Sequence, residues 1–366
     1  ATHPVTEPVS TTIAGLRVEL SPAPSDADDN VTIFLPDLGV CINNLVWPAL
    51  FNVFAIRGEE YRDPRVLLTG LDHIAGLGAE HLLGAHGPPL SGRDEIAREV
   101  VDYRDSIQYL WDQTVRGINR GLTMDELTEF VQLPARFERS YLTRQFYGLV
   151  EHHVRQIHIG LRGWFDGDEA SLFPTPHRER HRRLVEGFGG AEVVRAQARQ
   201  ALADGDSRWA LELAGWLVRS ELDATGRVDG GTPEDRALLA EVLRTIARRT
   251  PSSNARNWCL TRARELEGLL DLGRHRVHRF ARGTVLANPL TSSVAALRVV
   301  LDPERAAGAD VELRWELTDG QRAGLRLRDG VAVPTAGSAA DLVITLDLDT
   351  WADVLGARTT LSDALT

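Results

Sequence analysis

The chain has 366 residues, 43% of them hydrophobic and 25% charged, with a net charge of -11 at pH 7. That length supports two or three domains with their own cores, and the acidic balance argues against nucleic acid, whose phosphates need clustered cations. No apolar run approaches the roughly 18–20 residues that span a bilayer, so a soluble protein is expected, cytoplasmic or secreted. Every basic residue is arginine, which excludes lysine Schiff-base chemistry and with it a pyridoxal-phosphate enzyme. Cys41 and Cys259 belong to no Cys-x-x-Cys motif and read as small buried hydrophobes. The opening Ala-Thr-His-Pro shows no leader pattern and no initiating Met, as in a truncated or processed chain.

In chain order, residues 1–92 alternate strands with a helix, as an α/β layer does. Leu16 to Leu20 and Val31 to Leu35 fit buried strands, Pro36-Asp37-Leu38-Gly39 is a turn, and Val40 to Ile42 resumes a strand. Arg62 to Leu77 has helical spacing, with Val66, Leu67, Leu71, Ile74 and Leu77 on one stripe. A short apolar run at Leu82 leads into Ala85-His86-Gly87-Pro88-Pro89.

Residues 93–275 read as helical. Gly121 ends one helix, Thr123 caps the next, and Glu126 stands where a capping box needs it, with Pro134 closing that helix. Around Gly205 to Ala210 the small, aromatic and leucine pattern predicts hairpins like those of tetratricopeptide repeats. Residues 284–366 predict a small α+β domain with an antiparallel sheet. Val311, Leu313, Trp315 and Leu317 alternate with charges, Asp319-Gly320 turns, Leu325 and Leu327 alternate on the return, and Asp341 to Leu346 is a further strand before a helix.

Several segments resemble the alkylsulfatase family of the metallo-β-lactamase superfamily. They are Leu50 to Gly58 with Tyr61-Arg62-Asp63, Tyr103-Arg104-Asp105 with Tyr109, Asp112-Gln113-Thr114, Asn119 to Thr123, Gly163-Trp164-Phe165-Asp166-Gly167, Gly189-Gly190-Ala191 and Arg256-Asn257-Trp258. The resemblance covers nearly the whole chain. It implies the C-terminal part of a metallo-β-lactamase αββα sandwich over 1–92, a helical dimerisation domain over 93–275, and a sterol-carrier-like, alkyl-binding domain over 284–366. It also implies a homodimer and hydrolysis of alkyl sulfate esters to alcohol and sulfate at two zinc ions.

Residue by residue, the resemblance places His86 and Asp26 at zinc-ligand positions and Asn52 and Arg57 on the sulfate group, where a planar guanidinium and a neutral amide suit an oxyanion. It also exposes departures. The His-x-His-x-Asp-His loop that starts the family's zinc site is absent, and in the family it lies upstream of where this chain opens. Asn44 stands where a second Glu is expected, removing charge, and Phe51 replaces a His before Asn52. The chain by itself is therefore expected to be inactive, and an inactive homologue that serves binding or dimerisation is the rival expectation. Read without the resemblance, His86 fits an ordinary surface histidine, and Asp26 fits a solvated acidic loop with Asp28 and Asp29. Asn52 and Arg57 then fit a turn with Arg57 paired to Glu59 or Glu60. His177 with His181 fits an exposed basic helix start, and His152-His153 fits helix packing.

Overall fold

The computed structural model describes residues 4–25, 27–47, 51–54, 56, 58, 61–224, 226–227, 229–273 and 280–365. They form two compact units, residues 1–270 and 271–366. Asp26 and Arg57 lie outside the described residues, as do Glu59 and Glu60.

The first unit opens with a six-stranded sheet whose spatial order follows the sequence: β1 (Val9–Ile13), β2 (Leu16–Pro22), β3 (Val31–Leu35), β4 (Val40–Asn43), β5 (His81–Gly84) and β6 (Leu90–Ser91). Neighbours are antiparallel except β4 and β5, which run parallel. A parallel pair needs a crossover, and α1 (Pro64–Gly76) supplies it, with Pro64 in its first turn and Asp63 accepting the Arg65 N–H at its start. Its stripe of Leu67, Leu71 and Ile74 is buried as the spacing predicts, whereas Val66 is exposed, because it lies about 100° around the helix from Leu67.

The long α2 (Arg93–Asn119) buries Ile96, Val100, Tyr103, Ile107, Leu110 and Thr114 on one face and packs along α1. It carries the sheet's core past residue 92 into α3 (Met124–Phe130) and α4 (Val150–Arg162), so that Leu71, Phe51, Tyr103, Leu127 and Ile157 belong to one cluster. The capping box at the start of α3 forms as expected: Thr123 Oγ1 accepts the Glu126 N–H and Glu126 accepts the Thr123 N–H.

A second core joins α5 (His177–Gly187), α6 (Ala191–Ala203), α7 (Ser207–Arg219), α8 (Pro233–Arg249) and α9 (Ser253–Leu266). The expected hairpin turns at Gly205, with φ +88°, and Asp206 caps α7 by accepting the Trp209 N–H. Across this core the buried Arg195 of α6 donates to Asp235 of α8 at 2.8 Å, and Asp235 also completes a capping box with Thr232. Both cysteines are buried and free, and burial pushes the Cys41 thiol up to about 12.

The second unit places α10 (Arg282–Ala287), α11 (Leu290–Ala296), α12 (Leu348–Leu355) and α13 (Leu361–Ala364) with a four-stranded sheet. That sheet consists of β7 (Asp310–Leu317), β8 (Arg322–Arg328), β9 (Val331–Thr335) and β10 (Leu342–Leu346). The alternation in β7 and β8 holds, with Trp315 and Leu325 in the core. The sheet is not wholly antiparallel, however: its order is β10-β7-β8-β9, and β10 runs parallel to β7. The chain from β9 to β10 crosses the sheet over Gly324, where a Cβ would stand 2.3 Å from the Gly337 nitrogen.

Burial alone would push the Asp235 carboxyl up, but Arg195 and Thr232 more than offset it and hold it below the usual carboxylate range. The stability this contributes is present above the unfolded-state pKa of about 3.9 and lost as pH falls below it. Asp235→Ala removes the buried partner of Arg195 and leaves it only the exposed Glu192 and the more distant Glu234, which should cost about 3 kcal/mol at pH 7, with a smaller loss at pH 3; urea denaturation at the two pH values measures both. Gly324→Ala should cost about 1–3 kcal/mol, as forced overpacking does, seen as a lowered melting temperature.

Candidate functional site

The site starts from one register: Asn43, the last residue of β4, pairs with Gly84, the last of β5. Loops that follow the carboxyl ends of adjacent parallel strands emerge side by side, where α/β sheets bind ligands. Asn43 also ties the two loops. Its Oδ1 accepts the N–H groups of Leu45 and Val46 at 2.8 and 2.7 Å, and its Nδ2 donates to the Leu83 carbonyl at 3.1 Å. Gly84 permits the approach, since a Cβ there would be 2.7 Å from the Val46 carbonyl oxygen.

Asn44 and His86 are thereby brought to one edge, linked by Trp47, whose indole N–H donates to Asn44 Oδ1 at 3.0 Å and whose rings stand edge-on to the exposed His86 at 5.2 Å. The Asn44 amide nitrogen faces Asn30 Oδ1 at 3.2 Å and Ser25 Oγ at 3.3 Å, and Asn30 also donates to Ser25. The β2–β3 loop thus brings Asn30 and Ser25 against Asn44. Its oxygen, the atom that would face a cation, is occupied by the Trp47 donor.

Below this network lies a cavity of ≈ 10 Å³, room for about one water, with Asn44, Trp47, Asn52, Arg62 and Tyr103 among its walls. Asn52 is 4% exposed, and neither its amide oxygen nor its nitrogen has a hydrogen-bond partner. Such a group costs about 1–3 kcal/mol unless something polar meets it. Tyr103 rises from the buried face of α2, and its hydroxyl is pushed up to about 12, mainly by burial, against the opposing effects of the Asn52 backbone and Arg62. It stays a neutral donor. The Arg62 guanidinium lies 5.8 Å over the Phe54 ring. Phe51, where a proton donor would be useful, is fully buried against Tyr103 and His153 and has no proton to give.

Of the four residues assigned from the sequence, Asn52 lines the cavity, His86 stands at the edge above it, and Asp26 and Arg57 are outside the described residues. Among the described residues no three His, Cys, Asp or Glu side chains are grouped to hold a metal. His86 with a neutral, already bonded Asn44 does not fit a zinc pair, which calls for several imidazoles and carboxylates. The sequence reading missed Trp47 and the part Tyr103 plays, because both arise from placement. The Asn43-Asn44 pair at the end of a strand was the available signal for a polar loop staple. A larger groove of ≈ 1430 Å³ lies between α3, α4, α7 and α9. On its walls Arg208 pairs with Glu151 and Arg155 with Asp125, and neither Asn52 nor His86 is among them.

Residues 123–268 match the family model for alkyl sulfatase dimerisation. A linear primary-alkylsulfatase from a Pseudomonas species is 37% identical over 98% of this chain and 69% of its own length. The chain belongs to the alkylsulfatase family. An (R)-specific secondary-alkylsulfatase from Pseudomonas sp. is 30% identical over 97% of this chain and 53% of its own. The solved structure of the stereoselective inverting sec-alkylsulfatase Pisa1 from Pseudomonas sp. aligns with a TM-score of 0.81 at 29% identity, over 97% of this chain and 55% of that one. The chain thus spans little more than half the length of two of these alkylsulfatases. The mixed α/β layer, helical region and small α+β sheet expected of the family are all present. Among the described residues no helix is long and apolar enough to cross a membrane.

Asn44→Asp should test this polar contact. It sets a carboxylate oxygen against Asn30 Oδ1 in place of the donor that Asn44 offers there, and should lower stability by about 1–3 kcal/mol at pH 7, with partial recovery near pH 3.5 as the carboxylate takes a proton; chemical denaturation at both pH values measures it.

Proposed function

We propose that this chain is the sulfate-recognising and dimerising part of an alkylsulfatase, which hydrolyses an alkyl sulfate ester to alcohol and sulfate. The observation that carries the reading is the buried Asn52 amide, which faces the cavity with no protein partner. A sulfate oxygen entering this space would accept from its nitrogen. The Tyr103 hydroxyl adds a neutral donor, Arg62 a cation, and Arg57 a second guanidinium by family position. The alkyl tail is assigned to residues 284–366 on the same family grounds. His86 and Asp26 would supply two of the donors a zinc ion needs. A zinc pair, when bound, contributes an activated water and charge neutralisation, and the described residues fall short of holding one.

That shortfall favours a second reading, an inactive homologue that binds amphiphilic anions, because the bond from Trp47 to Asn44 Oδ1 occupies a would-be ligand position. The two part on turnover. The chain should bind inorganic sulfate and a linear alkyl sulfate in calorimetric titration, with Asn52→Leu weakening both by about 10-fold or more. Because the described residues fall short of a zinc site, turnover is measured with a relative's His-x-His-x-Asp-His segment fused ahead of the chain: sulfate release with zinc added then supports the hydrolase, and binding without release supports the homologue. If neither anion binds, both readings are wrong.

Homodimerisation is proposed for the region that matches the dimerisation model. Within it Phe173 is 92% exposed, Trp164 71% and Trp258 55%, and large exposed aromatics are the side chains that interfaces bury at their centres. Light scattering at micromolar concentration should give a dimer, and Trp164→Ser with Phe173→Ser should shift it toward monomer. A monomeric unaltered chain would contradict the proposal.

A further inference from the structure

The stretch that carries Asn52 belongs to no helix or strand, yet Phe51 and Val53 are fully buried and Asn52 and Phe54 nearly so. A loop buried this deeply must find partners for its backbone. Phe51 finds two in the turn before α4: its N–H donates to the Arg144 carbonyl at 3.4 Å, and its carbonyl accepts the Gly148 N–H at 3.2 Å. Phe54 finds another kind. Its N–H donates to Nδ1 of His153, on α4, at 3.2 Å across 99 residues of sequence.

The His153 ring has little freedom. It is fully buried, stands edge-on to Phe51 at 5.2 Å, and presses on Gly148, where a Cβ would come within 2.2 Å of it. Burial pushes its pKa down to about 3, against the opposing effect of the nearby Phe51 carbonyl, to which Nε2 makes no hydrogen bond of proper geometry. The neutral ring therefore carries its proton on Nε2 and offers Nδ1 as an acceptor. An uncharged acceptor is what a dry site can hold without a paired cation.

We propose that His153 is a positioning residue for the anion site: its Nδ1 holds the backbone at Phe54 and, together with the turn at 144–148, turns the Asn52 amide into the cavity. The proposal rests on the reading of Asn52 as a sulfate contact. It separates two roles that packing alone would merge. His153→Leu fills the space but offers no acceptor, His153→Asn keeps an acceptor near the Nδ1 position but loses volume, and His153→Gln moves the acceptor toward Nε2.

Inorganic sulfate titrated calorimetrically into the 366-residue chain, with hydrogen exchange followed on a peptide covering 51–54, distinguishes them. His153→Leu and His153→Gln should each weaken sulfate about tenfold and speed exchange at the Phe54 amide, while His153→Asn stays within about threefold of the unaltered chain despite a lower melting temperature. If His153→Leu fails to fold, His153→Gln carries the same comparison. The reverse order, Leu tolerated and Asn impaired, would show that volume alone matters and overturn the proposal. Unchanged affinity in all three variants also overturns it and leaves the Asn52 reading standing. No sulfate binding by the unaltered chain rejects that reading and the positioning role together.

Discussion

The parallel pairing of β4 with β5 determines where everything else in the candidate site falls. Because Asn43 sits opposite Gly84, the residues after each strand leave the sheet at the same level, and a side chain at 44 meets one at 86 although α1 separates them in sequence. The pairing is reinforced where it ends: three hydrogen bonds from one Asn43 side chain span both strands' exits, and a glycine at 84 lets the Val46 carbonyl come close. A shift of one residue would turn every side chain of the strand to the opposite face. It would also carry Asn44 away from His86 and Trp47, so register and site are one constraint.

What the sequence made legible follows from how local each signal is. The strands at 16–22, 31–35 and 40–43 and helix α1 were readable because alternation and 3.6-residue spacing are set within a few residues, and the box of Thr123 with Glu126 because both partners lie in one turn. The parallel return of β10 was not readable. Its strand pattern is the same whichever neighbour it takes, and the crossing depends on Gly324 admitting the Gly337 backbone, a contact that no spacing rule announces. Likewise His152 and His153 look alike in sequence, but only His153 lies on the stripe of Val150, Val154 and Ile157 that faces the core. The family resemblance supplied His86 and Asn52. The contacts around Asn44 came only with the fold, since they join two loops, the one between β2 and β3 and the one after β4.

The site is internally consistent once its charge is considered. A carboxylate at 44 would need compensation by a cation, whereas an amide can donate and accept at once, and Asn44 does both, toward Asn30 and Ser25 on one side and from Trp47 on the other. The amide at 44 therefore has hydrogen-bond partners for both of its ends. The same logic applies at Phe51. An ionisable imidazole there would sit in a fully buried, aromatic setting, and the phenyl ring instead packs edge-on to Tyr103 and His153.

Asn52 departs from this pattern, and that is why it bears the functional argument. Around it, the polar groups of Asn43 and Asn44 are bonded, while a side chain of the same type 4% exposed has both ends of its amide unmatched within the protein. Natural proteins rarely leave such a group without a purpose, because the desolvation cost is not recovered in the empty state. A water recovers part of it, and an anion's oxygen recovers more, since a charged acceptor makes the stronger bond. The surrounding groups agree in sign: a neutral Tyr103 hydroxyl, an arginine at 62 and no described carboxylate on the cavity wall. In a chain of net charge -11, a pocket with no carboxylate among its described wall residues is a local exception, and it is the electrostatic condition that an anion's oxygen would need there.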